Sequence, residues 1–181
     1  FGYNKFPAKT HVILNSYIPK HDKKSFEVNY ESNDIGYIGR HVPRKRAELG
    51  VRAVIEQLKN TSVKVFNMGV DYDKYDNEYW RKMAKKYEEQ LTVIPFSTDK
   101  SKKEKYWQDI GINCITGIYE PFGYTICEAI DRGVPVIVQN IDGPKEIVEG
   151  FEKFVYMYEV DVENYDQDII NFSKTLEKVW N

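Results

Sequence analysis

Short apolar runs of four or five residues alternate with amphipathic stretches along most of the chain, and this rhythm restricts the possible folds most sharply. Asp34-Ile-Gly-Tyr-Ile38, Val63-Lys-Val-Phe66 and Leu91-Thr-Val-Ile94 read as strands, as do 112–116, 134–138 and 154–158. Between them apolar residues recur at helical spacing: Ala47, Val51, Val54, Ile55 and Leu58 over 44–59, then Trp80, Met83, Ala84 and Tyr87 over 76–90. Helices are also predicted over 100–109, 123–132 and 165–180, with a short one starting at Gly143. A strand over 10–14 and a polar loop over 20–33 lead in. Such alternation with short connections builds right-handed βαβ units. The expected fold is therefore α/β, a Rossmann-like parallel sheet with helices on both faces. Ligands bind such sheets beyond the carboxyl ends of the strands, where strand order reverses.

The 181 residues fit a single domain, with 1–33 as linker and lead-in segment. Twenty-six basic against 28 acidic residues leave a net charge of −2, so no global field draws the chain to nucleic acid or anionic membrane. The apolar runs are far shorter than the ~20 residues of a membrane span. Phe1 to Pro7 lacks the apolar middle of a signal peptide, and Phe1 rather than Met begins the chain, so a fragment or processed piece is expected. Cys114 and Cys127 lie in apolar stretches and are expected to be buried free thiols, which favours a reducing, cytoplasmic location. No His, Cys and Asp cluster has metal-ligand spacing, so no metal is expected. His41, near the basic loop, is expected to be a surface imidazole, with contact to a phosphate as the alternative; His11 and His21 belong to the opening segment.

The chemistry concentrates in Gly117-Ile-Tyr-Glu120-Pro-Phe-Gly123-Tyr-Thr-Ile-Cys-Glu128. A helix opening near Gly123 leaves the Tyr124 and Thr125 amides unpaired, and its dipole favours an anion there. Gly123 allows close approach of a phosphate to the backbone. Glu128 lies roughly 7 Å along the helix at about 1.5 Å per residue, and helical side chains lean back toward the N-terminus. Its carboxylate suits the paired hydroxyls of a ribose, while Glu120 before the helix could grip a sugar hydroxyl. The segment fits a molecule with phosphates in its middle and hydroxyls at both ends.

A second constellation, Gly39-Arg40-His-Val-Pro-Arg44-Lys45-Arg46, follows a strand and opens a helix at the same sheet edge. Arg40 can hold a phosphate with two parallel bonds and Lys45 supplies a point charge. Fixed cations there stabilise a departing diphosphate. Gly143-Pro-Lys-Glu146 is another helix start at this edge, readable as plain capping or as pocket wall. Pro95 and Phe96 end a strand where a planar base could lie, and Lys100 to Lys105 reads as a solvated helix face.

In these residues the chain resembles the C-terminal, donor-binding domain of GT-B-fold retaining glycosyltransferases, the group that includes glycogen synthase. Such domains carry a Gly-Arg…Lys-Gly element, a Glu-x7-Glu element enclosing Phe-Gly, and a Gly-x-Pro-Val strand followed by Gly-x-x-Glu. The matching residues are Gly39, Arg40 and Lys45; Glu120, Phe122, Gly123 and Glu128; and Gly133-Val-Pro135-Val with Gly143 and Glu146. The resemblance implies that Arg40 and Lys45 bind the diphosphate of a nucleotide sugar, Glu120 the transferred sugar and Glu128 the ribose. Arg40, Lys45 and Glu120 are the catalytic candidates; Gly39, Pro95, Phe122, Gly123, Tyr124, Thr125 and Glu128 are the donor-binding ones. It also implies transfer without cofactor or metal, with retention of configuration, and an N-terminal domain binding an acceptor such as a glycan, protein, lipid or DNA base. Arg46 stands where the family commonly has Gly, and is expected to add bulk and charge beside the phosphates. A non-catalytic nucleotide-sugar or protein-interaction module, and a flavodoxin-like regulatory domain, are the competing readings.

Overall fold

A computed structural model of the chain describes residues 16–19, 26–58, 61–67 and 74–180. The expected strand over 10–14 and both His11 and His21 lie outside the described residues. Six strands, β1 (Asp34–Gly39), β2 (Ser62–Asn67), β3 (Leu91–Ile94), β4 (Ile112–Cys114), β5 (Val136–Gln139) and β6 (Val155–Tyr158), form one sheet in the order β3-β2-β1-β4-β5-β6. Every pairing is parallel. The order reverses between β1 and β4, where Ile35 faces Ile112 and Gly36 faces Asn113.

The helices are α1 (Ala47–Gln57), α2 (Lys74–Lys86), α3 (Lys100–Asp109), α4 (Tyr124–Arg132), α5 (Asp142–Ile147) and α6 (Tyr165–Trp180). Strands buried on both faces read as nearly continuous Val and Ile because helices cover each side. One core joins Leu49, Val51 and Val54 of α1, Trp80 of α2, and Ile169, Phe172 and Leu176 of α6 to the sheet. The other joins Tyr106, Trp107 and Ile110 of the α3 region with Ile126 and Ala129 of α4. Burying one Ile, Leu or Phe side chain is worth about 1.5–3 kcal/mol, so these two layers dominate the stability. Both cysteines are free thiols: Cys114 is buried, Cys127 half-buried, and burial raises the pKa of each.

The expected fold is the observed one, with corrections at element ends. The helix expected from residue 44 does not start there. A single 3-10 turn over Pro43–Lys45 comes first, Arg46 turns left-handed at φ 47°, and α1 begins at Ala47. Pro43 explains the break, since its ring favours a first helical turn and forces Val42 into an extended conformation. The helix expected to reach Gln90 stops at Lys86, followed by a turn. Strand β4 ends at Cys114 rather than Thr116, whose hydroxyl instead binds the neighbouring loop.

Candidate functional site

Two loops leave the sheet at the reversal point, 40–46 after β1 and 115–123 after β4, and they are stitched together. The Ile118 amide donates to the Arg44 carbonyl at 3.1 Å. The Thr116 hydroxyl donates to the Lys45 carbonyl at 3.1 Å and the Arg46 carbonyl at 2.8 Å. At the end of β5, Gln139 Nε2 donates to the Gly117 carbonyl from beneath. Side-chain donors thus join a backbone bond in tying the two loops to each other and to β5, which fixes both loops.

Between the loops lies a hollow of about 210 Å³ whose lining includes Arg40, Lys45, Lys103, Glu120, Thr125 and Glu128. Three cations face two carboxylates. Lys45 Nζ pairs with Glu120 Oε2, and the Gly123 amide donates to Glu120 Oε1 at 3.1 Å. Lys103 Nζ pairs with Glu128 Oε1 at 2.6 Å, while Glu128 Oε2 is buried without a hydrogen-bond partner. A buried oxygen left open in this way is costly unless a ligand donor meets it. Arg40 is exposed and takes no ion partner among the described residues. At the mouth, α4 starts from Gly123 in the left-handed region at φ 79°, and neither the Tyr124 nor the Thr125 amide has a partner among the described residues. The helix-start residue Thr125, the Arg40 guanidinium and the unmet Glu128 oxygen therefore share one cavity, with the Tyr124 amide beside it, which suits an anion carrying hydroxyls.

The hollow brings together Gly39, Arg40, Lys45, Glu120, Thr125 and Glu128. Gly123 lies buried behind Glu120. Tyr124 instead lines an adjoining groove of about 470 Å³, which shares Lys103 and Glu128 with the hollow. Phe122 is half-buried and packs edge-on against the Tyr124 ring, with centroids 4.7 Å apart. Pro95 is exposed after β3, the edge strand, and is not among the residues that line the hollow.

Three expectations are corrected. His41 is not a surface imidazole: it is 8% exposed and its ring lies 4.8 Å from that of Trp80. The 100–105 run is not solvated throughout, because Lys103 reaches the hollow. Lys103 precedes the buried Tyr106 and Trp107 by three and four positions, so helical spacing already put it on their face. Arg46 does not crowd the hollow, since its side chain runs to α6 and pairs with Asp168 at 2.6 Å. A left-handed non-glycine residue costs about 1–2 kcal/mol, which accounts for Gly at such a position where no partner is available.

Gly143 contributes without lining the hollow. A Cβ there would meet the backbone oxygens of Glu120 and Pro121, the latter at 2.6 Å. The start of α5 is thereby a wall behind the Glu120 loop. Among the described residues no group of three or more His, Cys, Asp or Glu is placed to hold a metal ion, and no helix is long and apolar enough to cross a membrane.

Residues 19–178 match the family model described as glycosyl transferases group 1. An uncharacterized glycosyltransferase of Methanocaldococcus jannaschii is 24% identical over 137 residues, covering 75% of this chain and 34% of the relative. Among solved structures, S. aureus TarM, crystallised in a complex that includes UDP, superposes with a TM-score of 0.67 at 19% identity over 96% of this chain and 34% of its own. Sucrose-phosphate synthase from Thermosynechococcus elongatus gives 0.69 at 18% identity over 88% of this chain and 41% of its own. The chain thus spans about a third of the length of the curated relative it matches.

Proposed function

Given that the chain belongs to the glycosyl transferases group 1 family, we propose that it is a donor-binding domain that holds a nucleoside-diphosphate sugar for transfer of the glycosyl group with retention of configuration. The observation that carries this reading is the gathering of Arg40, Lys45, Glu120 and Glu128 around one hollow beneath the start of α4. In this reading the Tyr124 and Thr125 amides and the Arg40 guanidinium take the phosphates. The open Oε2 of Glu128 meets a ribose hydroxyl. Lys45 exchanges its bond to Glu120 for a phosphate oxygen, which frees Glu120 for the sugar.

Transfer breaks the bond from the anomeric carbon to the diphosphate, and the electron pair leaves on the diphosphate. Arg40 and Lys45 stabilise the charge that develops there, which is the largest single effect such a site exerts on the barrier. The acceptor hydroxyl oxygen forms the new bond to the anomeric carbon, and its proton passes to an oxygen of the departing diphosphate. In the whole protein the acceptor would be held by a further domain, and the location would be cytoplasmic.

Titration calorimetry with UDP, GDP and ADP, repeated on Arg40→Ala and Glu128→Ala, tests the donor reading. Binding of one diphosphate, weakened in both variants, is expected. No binding of any of the three would leave a protein-interaction module as the better reading.

A further inference from the structure

The geometry points to Arg46 as a positioning residue: its buried ion pair with Asp168 ties the loop that presents Arg40 and Lys45 to the last helix, α6. Three observations carry this. First, Arg46 is a backbone junction. Its amide closes the 3-10 turn on the Pro43 carbonyl at 3.0 Å, and its carbonyl accepts both the Leu49 amide at 3.0 Å and the Thr116 hydroxyl at 2.8 Å. Second, its side chain is only 9% exposed and reaches across 122 positions of sequence to Asp168, whose side chain is 0% exposed. Third, α6 is shaped to receive it. Tyr165 lies under the guanidinium with its ring centroid 4.8 Å away, and its hydroxyl donates to Glu48 of α1 at 3.2 Å. The other Asp168 oxygen accepts the Asp161 amide at 3.2 Å.

A left-handed arginine is the conformation glycine would adopt more readily. Its retention here makes sense if the side chain does something glycine cannot. Directional bonds to a buried carboxylate specify one orientation of the residue, and the adjacent Lys45 inherits it. Burial raises the Asp168 carboxyl above its ordinary value, while the Asp161 amide and then Arg46 oppose the rise. The consequence for the hollow rests on the donor reading; the mechanical link does not.

The test compares the parent with Arg46→Gly/Asp168→Asn, which keeps the left-handed backbone accessible, keeps the acceptor for Asp161 and removes the ion pair together with the guanidinium's contact to Tyr165. Hydrogen exchange of the full chain without ligand is followed at the Ile118 amide, whose partner is the Arg44 carbonyl, and at Val65 and Val138 in the sheet. About tenfold faster exchange at Ile118 with Val65 and Val138 unchanged is expected, as for a local opening. Arg46→Lys should restore most of the protection. UDP affinity of the double variant should fall by about tenfold in parallel. Unchanged exchange at Ile118, or equal acceleration at all three amides, overturns the proposal. Should the double variant fail to fold, Asp168→Asn alone carries the same comparison. If the parent binds none of UDP, GDP and ADP, the donor reading fails while the exchange data still decide on the strut.

Discussion

Lys103 of α3 and Glu128 of α4 meet at 2.6 Å across the rim of the hollow, leaving the second Glu128 oxygen buried and open. Charge-assisted hydrogen bonds are worth about 1.5–3 kcal/mol, so Glu128→Ala should weaken binding of a nucleoside diphosphate by roughly ten- to hundredfold. Lys103→Met should cost less, since it removes the brace and not the acceptor. Calorimetric affinities for both variants check the ranking, and a larger loss in Lys103→Met would contradict it.

Glu120 touches both Lys45 and the amide that precedes α4. Glu120→Gln keeps an acceptor for Gly123 but discards the charge that balances Lys45. In the whole protein, turnover should fall by about a hundredfold while the melting temperature stays within a few degrees. Glu120→Ala should add a loss of about 1 kcal/mol, because the Gly123 amide loses its acceptor as well. Steady-state rates alongside thermal melts separate the two effects.

Gly143 is the remote position to probe. A methyl group there must displace the backbone of Glu120 and Pro121. Gly143→Ala is expected to destabilise the chain by about 1–3 kcal/mol, as overpacking does. It should also weaken nucleotide binding although residue 143 is not among those lining the hollow. A variant with unaltered melting and affinity would show that the loop yields without consequence.

Five phenols give the fold an alkaline limit. Burial pushes up the hydroxyls of Tyr37, Tyr106, Tyr158 and Tyr165, while Tyr17 rises to about 12 through burial and then the Asp131 charge. Unfolded, these groups release their protons near about pH 10. Above that pH the unfolded chain holds fewer protons than the folded one, so stability falls as pH rises. The contribution is complete below about pH 10 and is lost as pH climbs through the folded values, beginning with Tyr17. Urea midpoints between about pH 8 and 12 should be flat and then drop, and an unchanged midpoint at the upper end would refute the assignment.

The alternation of strand and helix could be read directly because Val and Ile runs leave no other way to hide two faces of a sheet. The segment around Glu120 and Glu128 was equally open, since Gly123 marks a helix start and the spacing then sets where the carboxylates fall. What sequence could not supply was pairing at a distance. Nothing near Arg46 announces Asp168, and nothing in a lysine-rich run singles out Lys103 until Tyr106 and Trp107 fix which side of α3 is buried. His41 was misplaced for the same reason: its partner Trp80 arrives from a helix 39 positions later.

The loop bearing Arg40 and Lys45 is bedded on α1 and α6, on one side of the sheet, whereas Glu128 rides on α4, on the other. The grip thus works like a vise whose jaws are bolted to opposite sides of a single thin slab. Thickening either layer with a larger core residue would shift one jaw against the other. An engineer could retune the width of the hollow in that way without altering any residue that lines it.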